Sequence, residues 1–249
     1  MQFFVEPGTE LDWFRTWRNI RMKWHQSLGF GEQNYRFHEH EKLAHYANAA
    51  VDIEYRFPFG FKEVEGIHSR TDFDLSQHEQ YSGKKLRYFD PEKNESYVPF
   101  VVETSIGVDR MFLQVVSAAY HEEEVVGANG EKDTRVVLCI PPALAPVKLA
   151  VLPLVKKDGL PEIARTIINN LKFDFNCQYD EKDSIGRRYR RQDAIGTPFC
   201  ITIDHQTGTD NTVTIRYRDS MEQERIPTDQ IREIVAEKVS MKKLLGKLK

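Results

Sequence analysis

One stretch decides the fold of the first half of the chain: Glu103-Thr104-Ser105-Ile106-Gly107-Val108-Asp109-Arg110. It follows a β-branched and aromatic run, 97–102, and precedes a segment with helical apolar spacing, 111–120. That order predicts a turn between a strand and a helix, where unpaired N–H groups at the helix start favour an anion. Asp109 suits this first helical turn, whereas Arg110 needs an anion or the flat face of a base opposite its guanidinium. From these residues alone, the alternative is a solvated arginine on a surface helix.

A second pattern, upstream of this stretch, has a period of two residues. Apolar residues alternate with charged ones from Val51 to Phe57, a Pro-Phe-Gly turn follows, and 61–69 returns as a second strand. This predicts a β-hairpin whose return strand places Glu63 and Glu65 on one face, because side chains two residues apart point the same way. Neighbouring carboxylates repel one another unless a cation lies between them. The pair therefore predicts a site for Mg²⁺, a substrate ammonium or a hydroxyl, or else an exposed acidic edge.

Length and composition bound the class of protein. The chain has 249 residues, enough for two domains, and its 40% hydrophobic and 29% charged residues are typical of a soluble globular protein. No run approaches the roughly 20 apolar residues that a membrane helix needs, and the N-terminus has no signal pattern. A cytoplasmic location without a membrane partner is therefore expected. The three cysteines lie in apolar runs and are predicted to be reduced core residues.

The charge is distributed unevenly along the chain. Residues 1–133 carry 15 Lys+Arg against 23 Asp+Glu, whereas residues 134–249 carry 20 against 15, so a net charge of −8 precedes one of +5. The densest basic cluster consists of Arg187, Arg188, Tyr189, Arg190 and Arg191. On a helix, its first and last arginines share one face, and the tyrosine either packs or stacks on a base. The basic half is predicted to bind a polyanion; the alternative is chance clustering on solvated faces.

The second half alternates strands and helices. Apolar runs predict strands at 135–140, 147–152, 173–179, 199–204 and 212–218, and helices at 160–171 and 228–239. This order predicts a mixed sheet with helices on both faces. The charged, glycine-containing stretch 121–133 is predicted to be the domain boundary.

Four segments resemble the glycyl-tRNA synthetase family of class II aminoacyl-tRNA synthetases. VETSIGVDR is similar to the third signature motif, whose usual form is E-P-S-x-G-x-D-R, with Thr104 in place of the proline. HYANAAVDIEYRFPFGFKEVEGIHSRTDFDLSQH (45–78) resembles the catalytic region of the family. SIGRRYRRQDAIGTPFCITID (184–204) and TVTIRYRDSMEQERI (212–226) resemble the anticodon-binding domain shared by the glycine, histidine, proline and threonine synthetases.

The resemblance implies an α/β chain with two domains. Residues 1–125 would form an α+β, antiparallel portion of the class II catalytic domain, from the end of the motif 2 strand through motif 3. Residues 126–249 would form a mixed-sheet anticodon-binding domain. Glycine, ATP with Mg²⁺ and tRNA(Gly) are the implied substrates, a homodimer is expected for the intact protein, and no zinc is expected.

The resemblance also implies roles for individual residues. The implied catalytic residues are Arg70, Glu103 and Arg110. Those implied to bind glycine are Arg70, Glu103, Thr104, Ser105, Ile106 and Gly107. Those implied to bind ATP are Glu63, Val64, Gly107, Val108, Asp109 and Arg110, with Mg²⁺ near Glu63 and Glu65. The candidate tRNA contacts are Arg187, Arg188, Tyr189, Arg190, Arg191, Arg216 and Arg218.

Two elements of the family pattern are not found in the sequence. Motif 1 has no counterpart, and the motif 2 arginine that grips the α-phosphate of ATP would lie upstream of Met1. The chain is therefore expected to be a C-terminal portion of the family's chain and to be inactive by itself. The implied reaction has two steps. Glycine and ATP form glycyl-adenylate and pyrophosphate, and the glycyl group then passes to the terminal ribose of the tRNA. The alternatives are a non-catalytic tRNA-binding or accessory paralogue, which the retained motif residues argue against, and a generic nucleotide-binding module.

Overall fold

The computed structural model describes residues 1–126, 130 and 132–248, and it divides into two compact units. Apart from the last two residues, these are Met1–Gln114 and Val115–Lys247. The division lies inside a helix, upstream of the domain boundary predicted at 125/126. Some residues of the predicted boundary stretch, 127–129 and 131, lie outside the described residues. Since compact units and functional domains need not coincide, the predicted division stays a prediction.

The first unit is built on an antiparallel sheet. Its elements are β1 (Gln2–Val5), α1 (Glu10–Ser27), β2 (Tyr35–Glu39), β3 (Ala49–Phe57), β4 (Gly60–Ser69), α2 (Phe73–Ser82), β5 (Tyr88–Asp90), β6 (Glu95–Tyr97), β7 (Phe100–Ile106) and the start of α3 (Val108–Ala119). The strand order is β1-β7-β4-β3-β2, with β5 and β6 pairing separately. Every neighbouring pair in this sheet is antiparallel, and the predicted β-hairpin is the pair β3–β4.

The segment 103–110 is divided between a strand and a helix. Residues 103–106 belong to β7, whereas a turn was predicted there, and only Gly107 separates β7 from α3. The strand continues because both of its neighbours supply partners: Glu103 lies opposite Gln2 of β1, and Ile106 lies opposite Glu65 of β4. Backbone groups paired on both sides gain more than the same groups in a solvated turn.

The second unit is built on a mixed sheet. Its remaining elements are β8 (Tyr120–Val126), β9 (Lys132–Leu138), β10 (Leu149–Pro153), α4 (Leu160–Leu171), β11 (Cys177–Tyr179), α5 (Ile185–Ala194), β12 (Phe199–Ile203), α6 (Thr207–Asp210), β13 (Thr212–Tyr217), β14 (Gln223–Pro227), α7 (Ile231–Val239) and α8 (Met241–Leu245). The strand order is β11-β10-β12-β13-β14. Strand β10 is parallel to both of its neighbours, and the other pairs are antiparallel.

Helices cover both faces of this sheet, as predicted. Residues of α4 and α7 share one hydrophobic core with the strands, and Ala164 and Val235 there are fully buried. On the other face, Ile185 and Tyr189 of α5 pack against Leu152 of β10. The charged stretch 121–133 contributes to the antiparallel pair β8–β9, for which no strand pairing was predicted. No helix in the described region of the chain has the length and apolar character to cross a membrane.

Candidate functional site

The first sheet has one closed face and one open face. Helix α1 covers the closed face, where Arg21 Nε and His25 Nε2 lie 2.7 Å and 2.8 Å from the carboxylate oxygens of Glu65. Directly paired residues of antiparallel strands point to the same side. The pairs Ser105–Gly66 and Glu103–His68 therefore share the opposite face, as does Asp52, which lies opposite Gly66. We call this side of the sheet the open face.

A β-bulge separates the two carboxylates that were predicted to lie side by side. Glu65 lies opposite Ile53 and Glu63 lies opposite Glu54, so Val64 is the extra residue between them. The bulge leaves Val64 and Glu65 buried on the closed face and places Glu63 on the open face. The prediction that Glu63 and Glu65 share a face is therefore wrong, and Glu65 cannot join Glu63 in holding Mg²⁺. The cross-strand carboxylate beside Glu63 is Glu54.

Arg70 and Glu103 meet at one end of the open face. Arg70 donates from Nε and Nη2 to the carboxylate of Asp74, at 2.7 Å and 3.1 Å, and from Nη1 to Glu103 at 3.4 Å. The guanidinium also lies 4.1 Å from the ring centroid of Tyr46. The hydrogen bond from Arg70 lowers the pKa of the Asp74 carboxyl and raises that of Arg70 itself. Arg70 is thus a fixed cation beside a carboxylate that has few other partners.

Glu103 is only lightly engaged by the rest of the described chain. Its second carboxylate oxygen accepts one hydrogen bond, from Gln2 Nε2 at 3.2 Å. Its side chain is 20% exposed, so the carboxylate is not sealed from a ligand. An anion in this position can neutralise an ammonium group.

Arg110 and Glu63 form a second pair on the open face. Arg110 Nη1 donates to the backbone oxygen and to a carboxylate oxygen of Glu63, both at 3.0 Å. The two side chains are 54% and 45% exposed. A cavity of about 430 Å³ lies beside them, and its lining consists of His38, Asp52, Glu54, Phe57, Phe59, Lys62, Glu63, Arg110 and Leu113. The predicted site residues Glu63, Arg70, Glu103 and Arg110 therefore share one face of one sheet.

The other predicted ligand contacts of this unit divide between the two faces. Ser105, Gly107, Val108 and Asp109 are exposed. Thr104 and Val64 are buried, and Ile106 lies opposite the buried Glu65, so these three side chains belong to the closed face. Their predicted contacts with glycine or ATP cannot come from their side chains. Within the described ranges, no group of three or more His, Cys, Asp or Glu side chains is arranged to hold a metal ion.

Most of the candidate tRNA-contacting side chains of the second unit instead make contacts inside that unit. Arg188 is 2% exposed and donates to the backbone oxygens of Pro153, Lys182 and Asp183. Arg216 is 5% exposed and donates to Asp193 at 2.8 Å and 3.0 Å. Arg218 is equally enclosed and donates to two backbone oxygens and to Asp219. Burial removes these three residues from the candidate tRNA contacts.

The rest of the basic cluster lies nearer the surface. Arg187 is exposed, Arg190 Nη2 lies 3.1 Å from a carboxylate oxygen of Asp133, and Arg191 is bound by Asp180 and Asp183. The hydroxyl of Tyr189 lies 2.6 Å from that of Thr202, and its ring packs on the sheet, so its role is packing. Among the described contacts, Arg187 and Arg190 are the arginines of α5 outside the interior that have at most one carboxylate partner, so they are the better candidates for a phosphate.

Sequence reasoning missed several residues that complete these sites. Asp74 follows Arg70 by four residues, a spacing that could have indicated their ion pair on a helix start. Asp193, which is fully buried between Arg135 and Arg216, gave no such signal. Its partners are distant in the sequence and come together only in the folded unit.

The sequence of this chain is similar to a known domain family and to known enzymes. Residues 148–238 match the family model described as "Anticodon binding domain". The chain is 52% identical over 240 residues to a glycine–tRNA ligase of Chlorobaculum tepidum, covering 96% of the chain and 50% of the relative. It is 50% identical over 234 residues to a glycine–tRNA ligase of Treponema denticola, covering 93% and 52%. The chain thus spans about half the length of the curated relatives it matches.

Two solved structures share the fold at low sequence identity. One is Giardia lamblia prolyl-tRNA synthetase in complex with prolyl-adenylate, with a TM-score of 0.64, 15% identity, and coverage of 99% of this chain and 50% of that one. The other is the RNA binding domain of threonyl-tRNA synthetase from Cryptosporidium parvum, with a TM-score of 0.67, 17% identity, and coverage of 95% and 62%. At these identities the likeness establishes the fold alone, which matches the predicted antiparallel portion followed by a mixed-sheet portion.

Proposed function

We propose that this chain, which is 52% and 50% identical to two glycine–tRNA ligases over about half of their length, is a member of that family of class II aminoacyl-tRNA synthetases, and that its open face binds glycine and ATP. The observation that carries this proposal is the presence of two Arg–carboxylate pairs, Arg70–Glu103 and Arg110–Glu63, on the same face of one sheet. In the intact protein this face would activate glycine as glycyl-adenylate, and the glycyl group would then pass to tRNA(Gly).

Each pair has a distinct task in this proposal. The Glu103 carboxylate neutralises the ammonium of glycine, and the neighbouring Ser105 hydroxyl can hydrogen-bond to it. Arg70 is already oriented by Asp74 and Tyr46, so its Nη1 can face the carboxylate or the adenylate phosphate without losing rotamer freedom on binding. The protein thereby contributes positioning and charge neutralisation rather than a covalent intermediate.

Arg110 and the cavity beside it would receive ATP. A guanidinium that is half exposed above a cavity lined by aromatic residues can stack on a base or meet a phosphate. Mg²⁺ usually binds to one or two carboxylates together with substrate phosphates, and it neutralises the phosphate charge there. Glu54 and Glu63 are cross-strand neighbours on the open face, where Arg36 Nε lies 2.6 Å from Glu54 and Arg110 Nη1 lies 3.0 Å from Glu63. The two carboxylates would hold Mg²⁺ with ATP if the ion displaced these arginines.

The second unit would bind the anticodon of tRNA(Gly). Support comes from the match of 148–238 to the anticodon-binding family, from the positive net charge of the second half, and from the exposed arginines of α5. A cytoplasmic location and a homodimer of the intact protein are proposed on family grounds alone.

The decisive experiment is a calorimetric titration of the chain with a non-hydrolysable glycyl-adenylate mimic, glycyl-sulfamoyl-adenosine. We expect binding that Glu103→Gln weakens about tenfold or more, because a charge-assisted hydrogen bond to the ammonium is lost. Glu92→Gln, which removes an exposed carboxylate from the same unit, should leave the affinity unchanged.

Two results would contradict the proposal. Equal affinity for adenosine 5′-sulfamate, which lacks the glycyl group, would indicate a generic nucleotide-binding module. No binding of either compound, together with retained tRNA binding, would favour a non-catalytic accessory protein.

A further inference from the structure

Strand β4, which pairs with β7 at Glu103 and Ser105, places a histidine and a glycine beside the candidate glycine site. His68 of β4 lies directly opposite Glu103, and Gly66 of β4 lies directly opposite Ser105. Both β4 residues are on the open face because directly paired residues point to the same side. Any group held between Glu103 and Ser105 therefore has His68 and Gly66 as its neighbours on the β4 side.

The imidazole of His68 lies over Gly66. A Cβ atom on Gly66 would be 2.8 Å from His68 Cε1, closer than non-bonded carbon atoms approach, and 3.5 Å from both His68 Nδ1 and Asp52 Oδ1. Gly66 has no left-handed backbone that would explain a glycine there. Its missing side chain instead provides the space into which the His68 ring folds, and the Asp52 carboxylate borders the same space.

The surroundings of the His68 ring favour its uncharged form. Burial lowers the pKa of His68; Arg70 and His40 act in the same direction, while Glu103 and Asp52 oppose it. Nδ1 is buried and has no hydrogen-bond partner among the described residues. An uncharged ring beside Glu103 does not compete with a substrate ammonium for that carboxylate.

We propose that His68 is a specificity-determining residue, whose imidazole occupies the space beside Glu103 and Ser105 that the side chain of any amino acid larger than glycine would need. This inference rests on the proposed function, since it assumes that the substrate ammonium lies against Glu103. The ring cannot move closer to β4, because it already lies in the space that a Gly66 side chain would take. Adding a methyl group to a filled site commonly costs tenfold to a hundredfold in affinity.

The test compares two adenylate mimics, glycyl- and alanyl-sulfamoyl-adenosine, titrated calorimetrically against the chain. The unmodified chain should prefer the glycyl compound by about tenfold or more. His68→Ala should reduce that preference to within about threefold, mainly by tightening the alanyl compound. His68→Phe, which restores a ring without its nitrogens, should keep the preference. His121→Ala, which removes an exposed histidine from the other unit, is the matched control and should change neither affinity.

Each possible outcome decides something. An unchanged preference in His68→Ala would overturn the proposal, and so would a His68→Phe variant that behaves like His68→Ala, since the nitrogens rather than the volume would then matter. If the unmodified chain binds both compounds equally, the specificity proposal fails while the proposed function stands. If it binds neither, the proposed function fails and this inference fails with it. Thermal unfolding midpoints of all variants show whether each is folded during the titration.

Discussion

Each of the two units buries one carboxylate beneath two basic side chains, with different consequences for its surface. In the first unit, Glu65 lies within hydrogen-bond distance of Arg21 and His25, and in the second, Asp193 accepts hydrogen bonds from Arg135 and Arg216. Both carboxylates are fully buried. Burying a charge costs free energy unless well-placed hydrogen-bond partners compensate for the lost hydration. Each of these carboxylates therefore depends on the positions of its two partners.

The two units differ in how many of their other predicted site arginines remain exposed. In the first unit the buried cluster faces α1, and the open face retains Arg70 and Arg110 for a ligand. In the second unit, Arg188, Arg216 and Arg218 are buried, and of the candidate tRNA contacts only the outer arginines of α5 remain at the surface. A dense run of arginines in a sequence therefore does not by itself measure the size of an RNA-binding surface.

The largest effect is expected from breaking the buried cluster of the second unit. Asp193→Ala leaves the guanidinium groups of Arg135 and Arg216 without their carboxylate, which should lower the free energy of unfolding by about 3–5 kcal/mol. Urea unfolding followed by circular dichroism measures this change. Asp219→Ala is the control, because that carboxylate binds Arg218 but is 60% exposed, and it should cost less than about 1 kcal/mol. Equal losses in the two variants would mean that burial does not set the cost.

The corresponding change in the first unit should have a smaller effect that depends on pH. Burial raises the pKa of Glu65, but the hydrogen bonds with His25 and Arg21 outweigh it and hold the pKa below its usual value of 4.5. A lowered pKa in the folded state stabilises the protein above pH 4.5, and this contribution is lost as the pH falls through the folded-state pKa. Glu65→Gln should lower the free energy of unfolding by about 1–3 kcal/mol at pH 7 and flatten its decline in acid.

Tryptophan fluorescence can follow this transition selectively, since Trp13, Trp17 and Trp24 are the three tryptophans of the chain and all lie in α1. Glu63→Gln serves as the control on the same strand, where the carboxylate is 45% exposed. An acid profile of Glu65→Gln that overlies that of the unmodified chain would show that Glu65 is not the titrating group.

The smallest effect on stability, but a clear one on binding, is expected from the outer arginines of α5. Changing Arg187 and Arg190 together to Ala should weaken binding of tRNA(Gly) and reduce the slope of log affinity against log salt by about one to two. Fluorescence anisotropy at several salt concentrations measures this. Arg165→Ala with Arg232→Ala removes the same charge from α4 and α7, on the other face of the sheet, and should change the slope less. Equal slopes for the two double variants would remove α5 from the interface.

The regular elements of the fold could be predicted from periodicity. The helix predicted at 160–171 is α4, and the alternation from Val51 to Ser69 gave the hairpin β3–β4, because both patterns are local. The bulge at Val64 could not be predicted, since it depends on how β4 pairs with β3 and on α1 holding Glu65. That one extra residue moved Glu63 and Glu65 to opposite faces and changed the predicted partner for Mg²⁺ from Glu65 to Glu54.

The sequence by itself carried the resemblance to a family, the types of chemistry present and the segments that bear them, because motifs and periodic patterns are properties of neighbouring residues. Only the tertiary structure decided which of those residues remain available. Arg188, Arg216 and Arg218 look alike in the sequence as cations suited to RNA, yet each satisfies backbone or carboxylate oxygens inside the second unit. Burial and partner choice depend on residues far apart in the chain, so they are fixed only when strands pair and helices pack on the sheet.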